Sequence, residues 1–123
     1  MQSLDVVLLQ GDARVAESLA AALSHVFGSV QQARSIKEFR CLFTQLRRGV
    51  AILDIEAAPL AEVHNLTQEF PHSCIVCTHR LADEDMWVAA LQAGALDVCA
   101  SSDIPGIIRS ALTNSAAAHA AAA

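Results

Sequence analysis

A single carboxylate, Asp54, ends a continuously apolar stretch in the middle of the chain, residues 50–53. A run that is apolar on both faces of the pleat is typical of a strand covered on both sides, as in a parallel sheet between helices. The acid that ends such a strand lies at the carboxyl edge of the sheet, where open α/β sheets build their sites. Asp54 is therefore the first functional candidate, and its partners decide what chemistry it can perform.

The four cysteines offer a second candidate chemistry. Cys74 and Cys77 have the C-x-x-C spacing of redox and zinc motifs, while Cys41 and Cys99 stand apart. On a strand, however, residues three apart point to opposite faces, so Cys74 and Cys77 could not share a metal or a disulfide. The pattern indicates buried free thiols rather than a site.

One histidine is placed where it could assist Asp54. His79 directly follows Thr78 at the end of the next apolar run, and the carboxyl ends of parallel strands share one edge. It could pair with Asp54 as a cation, or it could be an ordinary solvated side chain. The sequence leaves both interpretations open.

Composition excludes several classes of function. The chain has 123 residues, a net charge of −5 and eight scattered basic residues, which is a poor footprint for binding phosphate backbones. No apolar run approaches the ~20 residues of a membrane span, and the N-terminus lacks a signal pattern. We expect one cytoplasmic domain over residues 1–115, followed by an alanine-rich tail, 116–123, that extends the last helix into a linker or is a remnant of cloning.

The periodicity predicts five β-α units. Buried strands are predicted at residues 6–9, 29–33, 50–54, 74–77 and 96–99, with amphipathic helices after each. Right-handed crossovers over such short connections predict a doubly wound α/β sheet with helices on both faces. The second strand is the least apolar and suits a sheet edge, which gives the strand order 2-1-3-4-5.

Polar residues and glycines mark the helix ends. Asp12 is predicted to cap the first helix, whose apolar stripe runs from Val15 to Val26 until Gly28 ends it. Gly94 is predicted to end the fourth helix in a left-handed conformation.

These features together resemble the receiver domain of two-component response regulators, over roughly residues 4 to 113. The resemblance rests on the apolar strand ending in Asp54, on Thr78 after the fourth strand, and on Ala93-Gly94-Ala95-Leu96-Asp97 before the fifth. It implies a flavodoxin-like five-stranded sheet. It also implies that Asp54 is the position that accepts a phosphoryl group from a sensor kinase.

Other positions of the family's pocket are changed here. The resemblance implies two metal-binding acids after the first strand, but these places hold Gln10 and Gly11, and Asp12 comes one position late. It implies a lysine after the fifth strand, where this chain has Ser101. Because an anionic phosphoryl group needs cations to offset its developing charge, the pocket is predicted to be degenerate, with no metal, no cofactor and no catalytic residue.

Three hypotheses follow. The favoured one is an atypical receiver that acts without phosphorylation, as a non-enzymatic protein-interaction module regulating an output domain, possibly in transcription. The alternative is a genuine phosphoacceptor at Asp54 that serves a histidine kinase. The third, a flavodoxin-like ligand binder, would need a Gly-rich or Ser/Thr-rich phosphate cradle, which residues 10–12 do not supply.

Partners are expected to be proteins, a sensor kinase or an output domain, without direct contact to nucleic acid or membrane. The resemblance implies dimerisation through the fourth helix, fifth strand and fifth helix. The candidate interface residues there are Met86, Trp87 and Val98, although Trp87 could instead be a half-buried core residue.

Overall fold

The computed structural model describes residues 4–46, 49–71 and 73–122, with side chains described through Ser115. The strands are β1 (Asp5–Leu9), β2 (Ser29–Ala33), β3 (Gly49–Asp54), β4 (Cys74–His79) and β5 (Asp97–Ala100). The helices are α1 (Ala13–Ser24), α2 (Ile36–Thr44), α3 (Leu60–Glu69), α4 (Glu84–Ala93) and α5 (Ile104–Ala122).

The strands form one parallel sheet in the order β2-β1-β3-β4-β5. Both the predicted fold class and the predicted strand order are confirmed. β3 is the central strand, so Asp54 lies in the middle of the sheet's carboxyl edge.

Alternate side chains of β3 enter two separate cores. Ile52, fully buried, packs in the core that includes residues of α1 and α5, and Leu53, also fully buried, packs with residues of α2, α3 and α4. This is why the strand is apolar at every position until Asp54, and why the sheet is covered on both faces.

The predicted cap at Asp12 and the predicted helix end at Gly94 are confirmed, and three further helices have a similar side-chain cap. Asp12, Ser35, Asp83 and Asp103 each accept a hydrogen bond from a backbone N–H in the first turn of the helix that follows. Gly94 ends α4 with φ of 112°, the left-handed conformation that favours glycine.

The first helix is shorter than predicted. It ends at Ser24, and Val26 is 45% exposed rather than on the core stripe. Phe27 enters the core in its place, and the Gly28 N–H donates to the Leu4 carbonyl at 2.8 Å. The helix therefore ends before Val26, and the larger Phe27 side chain is buried instead.

The fifth strand begins one residue later than predicted. Ala95 is buried while Leu96 is 41% exposed, so the strand starts at Asp97. The backbone of α5 continues as a helix into the predicted tail, through Ala122. Within the described ranges, no helix is both long and apolar enough to cross a membrane.

Candidate functional site

Asp54 is a buried acceptor of two backbone hydrogen bonds. It is 3% exposed; its Oδ2 accepts from the Gly11 N–H at 3.0 Å and its Oδ1 from the Glu56 N–H at 2.9 Å. A Cβ on residue 11 would lie 3.3 Å from Oδ2, so a side chain there would require the Asp54 carboxylate to shift by a few tenths of an ångström. Asp54 thus ties together the loops that follow β1 and β3.

At the two positions after β1 where the resemblance implies acids, the loop has Gln10 and Gly11 instead. Gln10 Oε1 accepts from the Asp12 N–H at 3.2 Å, and Asp12 Oδ1 accepts from the N–H groups of Arg14 and Val15, which confirms Asp12 as a helix cap. Among the described residues, no group of three or more His, Cys, Asp or Glu side chains is placed to hold a metal ion.

Thr78 and Ser101 lie at the same sheet edge. Thr78 pairs with Asp54 in the register of β3 and β4, and the Ser101 N–H donates to the His79 carbonyl at 3.1 Å. Thr78 Oγ1, Ser101 Oγ and Gln10 Nε2 are buried and have no hydrogen-bond partner in the described part of the chain. Because buried polar groups are nearly always paired, we expect an ordered water or a bound polar group to satisfy these three atoms.

An ion pair that sequence reasoning missed lies beside Asp54. Arg80 Nε donates to Glu56 Oε2 at 2.9 Å, and the Arg80 backbone N–H donates to Glu56 Oε1 at 2.9 Å. The backbone hydrogen bond, followed by the guanidinium, lowers the pKa of Glu56. Glu56 lies two positions after Asp54, and Arg80 lies two positions after Thr78, the residue paired with Asp54. These equal spacings were the feature of the sequence from which the ion pair could have been predicted.

An open cleft of about 520 Å³ lies at the carboxyl edge of the sheet. Among the described residues, no Lys, Arg or His side chain forms an ion pair with Asp54. The structure brings together all the predicted pocket positions, with Thr78 fully buried beside Asp54 in the sheet. The cleft is lined by Gln10, Gly11, Asp12, Ala13, Val15, Asp54, Glu56, Arg80 and Ser101.

His79 is engaged elsewhere. Its Nδ1 accepts from the Leu81 N–H at 2.9 Å, which ties the ring to its own loop. The structure therefore gives no support to the hypothesis that His79 pairs with Asp54.

Cys74 and Cys77 are buried free thiols as predicted, whereas Cys41 is exposed and Cys99 is half-buried. Cys74 belongs to the core on one face of the sheet and Cys77 to the core on the other. Burial raises the pKa of each thiol to about 12, and that of Cys99 to about 11. The C-x-x-C spacing is therefore neither a redox pair nor a zinc site.

We expect iodoacetamide to label Cys41 in the native protein and to leave Cys74 and Cys77 unmodified. Cys41 is exposed, whereas a thiol with a pKa of about 12 is roughly one ten-thousandth thiolate at pH 8. Mass mapping of peptides, with urea-unfolded protein as the control in which all four react, checks this. Native labelling of Cys74 or Cys77 at the rate of Cys41 would contradict the burial.

The candidate interface residues differ in exposure. Trp87 is 45% exposed, and its indole N–H donates to Asp97 Oδ1 at 3.4 Å, so it is not a core residue. Asp97 also accepts from Ser110 Oγ at 2.6 Å, which links α4, β5 and α5. Met86 is partly exposed, but Val98 is 8% exposed and packs in the core, so it presents little surface to a partner.

No family model matches this chain, and no curated protein matches it. Solved structures do match. The N-terminal signal receiver domain of a two-component response regulator from Bacteroides fragilis is 17% identical with a TM-score of 0.83, and the match covers 93% of this chain and 98% of that one.

Two further regulators share the fold, and one of them is much longer than this chain. A LuxR-family two-component response regulator from Aurantimonas is 14% identical with a TM-score of 0.82, covering 94% of this chain and 87% of that one. NtrX from Brucella abortus is 17% identical with a TM-score of 0.80; the match covers 99% of this chain but 29% of that one. The chain therefore has the fold of a response regulator receiver domain.

Proposed function

We propose that this chain is a receiver-type signalling module that acts through protein contacts, without phosphoryl transfer to Asp54. The observation that carries the proposal is the state of Asp54, whose two oxygens each accept a backbone N–H, from Gly11 and from Glu56. The carboxylate thereby connects the loop after β1 with the loop after β3.

Electrostatics support this role. Phosphoryl transfer to a carboxylate needs a metal ion and fixed cations to offset the charge of the transition state. At the positions where the family supplies them, this chain has Gln10, Gly11 and Ser101, none of which carries a charge. The pocket lacks the groups that would stabilise that transition state.

One observation favours the alternative, in which Asp54 is a slow phosphoacceptor. The Ser101 hydroxyl and the Gln10 amide are buried donors without partners in the described part of the chain, and both residues line the cleft together with Arg80. Such donors could bind phosphoryl oxygens. Without a metal ion beside Asp54, however, they supply only part of the required positive charge.

The two hypotheses differ in their response to phosphodonors. With Mg²⁺ and acetyl phosphate, we expect no change in the amide NMR spectrum around Asp54, Thr78 and Ser101. Saturable Mg²⁺-dependent shifts at these residues would support the phosphoacceptor instead.

The proposed setting is a cytoplasmic response regulator in which this module contacts a sensor kinase or controls an output domain, such as one acting in transcription. The net charge of −5 argues that the module itself does not bind DNA. The LuxR-family regulator of Aurantimonas, whose fold this chain shares, is consistent with that setting.

The proposed dimer surface is the face formed by α4, β5 and α5, with Trp87 as its centre and Met86 at its side. The Trp87 indole N–H forms a long hydrogen bond, 3.4 Å, to Asp97 Oδ1, and 45% of the residue is exposed. Tryptophan is enriched among the hot spots of protein interfaces.

Trp87→Ala is expected to weaken dimerisation by ~30-fold or more, since loss of a hot spot costs at least ~2 kcal/mol. Sedimentation equilibrium measures the dissociation constant, and circular dichroism checks that helicity is kept. Val26→Ala is the matched control, because Val26 is also 45% exposed but lies beyond the end of α1. A monomeric wild-type chain, or an unchanged constant in Trp87→Ala, would contradict this surface.

A further inference from the structure

The Asp54 carboxylate is a buried charge that has hydrogen bonds but, among the described residues, no counter-ion. It is 3% exposed, and its two bonds come from neutral backbone groups. A buried ion without an opposite charge is costly, and each carboxylate oxygen can accept a second hydrogen bond. The site is therefore suited to a cationic group that donates hydrogen bonds.

An ammonium group fits the acceptors at this edge. It has three N–H donors, and the cleft lining supplies acceptors in the two Asp54 oxygens and Ser101 Oγ, which is buried and unpartnered within the described residues. Thr78, opposite Asp54 in the register of β3 and β4, is fully buried behind the cleft lining. A bare metal ion fits less well, because hydroxyl and amide donors replace the carboxylates it needs.

The remaining groups call for a negative charge. Gln10 Nε2 is a buried donor without a partner in the described part of the chain, and only an acceptor can satisfy it. Arg80 is held by Glu56 through its Nε, and its side chain is 79% exposed at the cleft. Its terminal nitrogens are available to a carboxylate of a bound molecule.

We propose that this cleft binds a free α-amino acid, with the ammonium group at Asp54 and the carboxylate at Gln10 and Arg80. The cleft of about 520 Å³ is large enough for one, and Ala13 and Val15 in its lining favour a small aliphatic side chain. The inference rests on the proposed function, because a phosphoryl group on Asp54 would remove the free carboxylate. Amino-acid binding would then replace phosphorylation as the input to the module.

The test is an amide NMR titration of the full chain with L-alanine and L-valine, up to about 10 mM, the range of a weak site. Saturable shifts are expected at Gly11 and Glu56, whose N–H groups bind Asp54. N-acetyl-L-alanine, which lacks the ammonium group, and ethylamine, which lacks the carboxylate, should shift these amides much less. Arg80→Met and Ser101→Ala should each weaken binding about tenfold or more.

The inference would be overturned if no amino acid gave a saturable shift, in which case ordered water is the partner of the buried groups. It would also be overturned if ethylamine bound as tightly as L-alanine. Both variants are first checked for an unchanged melting temperature, so that a loss of binding is not a loss of folding. A separate sample with Mg²⁺ and acetyl phosphate distinguishes the two proposals. A phosphoryl mass gain there would overturn the proposed function, whereas amino-acid binding is measured on the unmodified chain.

Discussion

Ile52→Asp is expected to unfold the domain. Ile52 is fully buried in the central strand, between the neighbours Leu8 of β1 and Val76 of β4. An unpaired buried charge costs several kcal/mol, a large part of the ~5–15 kcal/mol that stabilises a domain of this kind. Circular dichroism during thermal and urea unfolding measures the effect.

Gln31→Asp is the control for this prediction. Gln31 lies on the edge strand β2 and is exposed, so the same charge placed there should leave a cooperative unfolding transition close to that of the wild type. A folded, cooperatively melting Ile52→Asp protein would show that β3 is not the centre of the core.

The triple substitution Gln10→Asp, Gly11→Asp and Ser101→Lys is expected to restore phosphoryl transfer to Asp54. It supplies two carboxylates that together hold one Mg²⁺ ion, and one fixed cation. The metal ion and the fixed cation contribute ~3 kcal/mol each to the transition state, ~6 kcal/mol together. Since each 1.36 kcal/mol is tenfold in rate, labelling by acetyl phosphate should accelerate by roughly 10⁴-fold over the wild type.

A second readout separates restored chemistry from a change in folding. New carboxylates beside Asp54 repel it unless Mg²⁺ is bound, so Mg²⁺ should raise the melting temperature of the triple variant and leave that of the wild type unchanged. The same variant carrying Asp54→Ala is the control that should not be labelled. A triple variant that binds Mg²⁺ yet is labelled no faster would refute this electrostatic account.

Much of the fold could be predicted from the sequence because local patterns and global topology agree. The apolar run ending at Asp54 predicted a central, doubly covered strand, and the sparse second strand predicted an edge. The errors fall where packing overrides periodicity. Phe27 displaces Val26 from the core, and Ala95 displaces Leu96, because a pattern of apolar residues does not say which of two neighbours is buried.

The sequence predicted which sheet edge carries the cleft, but it predicted neither the contacts there nor that Glu56 and Arg80 would line it. The sequence placed Asp54, Thr78 and Ser101 at one edge because parallel strands end together. The sequence did not show that the Gly11 N–H would donate a hydrogen bond to Asp54, because every residue except proline has a backbone N–H and residue type does not reveal which one is used. The pairing of Glu56 with Arg80, 24 residues apart in sequence, became visible only once the register of β3 and β4 was known.

The most direct test of the central claim, that Asp54 acts without phosphorylation, is the intact mass of the wild-type chain after incubation with Mg²⁺ and acetyl phosphate. The account predicts an unchanged mass under conditions in which the triple variant gains one phosphoryl group. A gain of one phosphoryl group by the wild type, absent from Asp54→Ala, would contradict it.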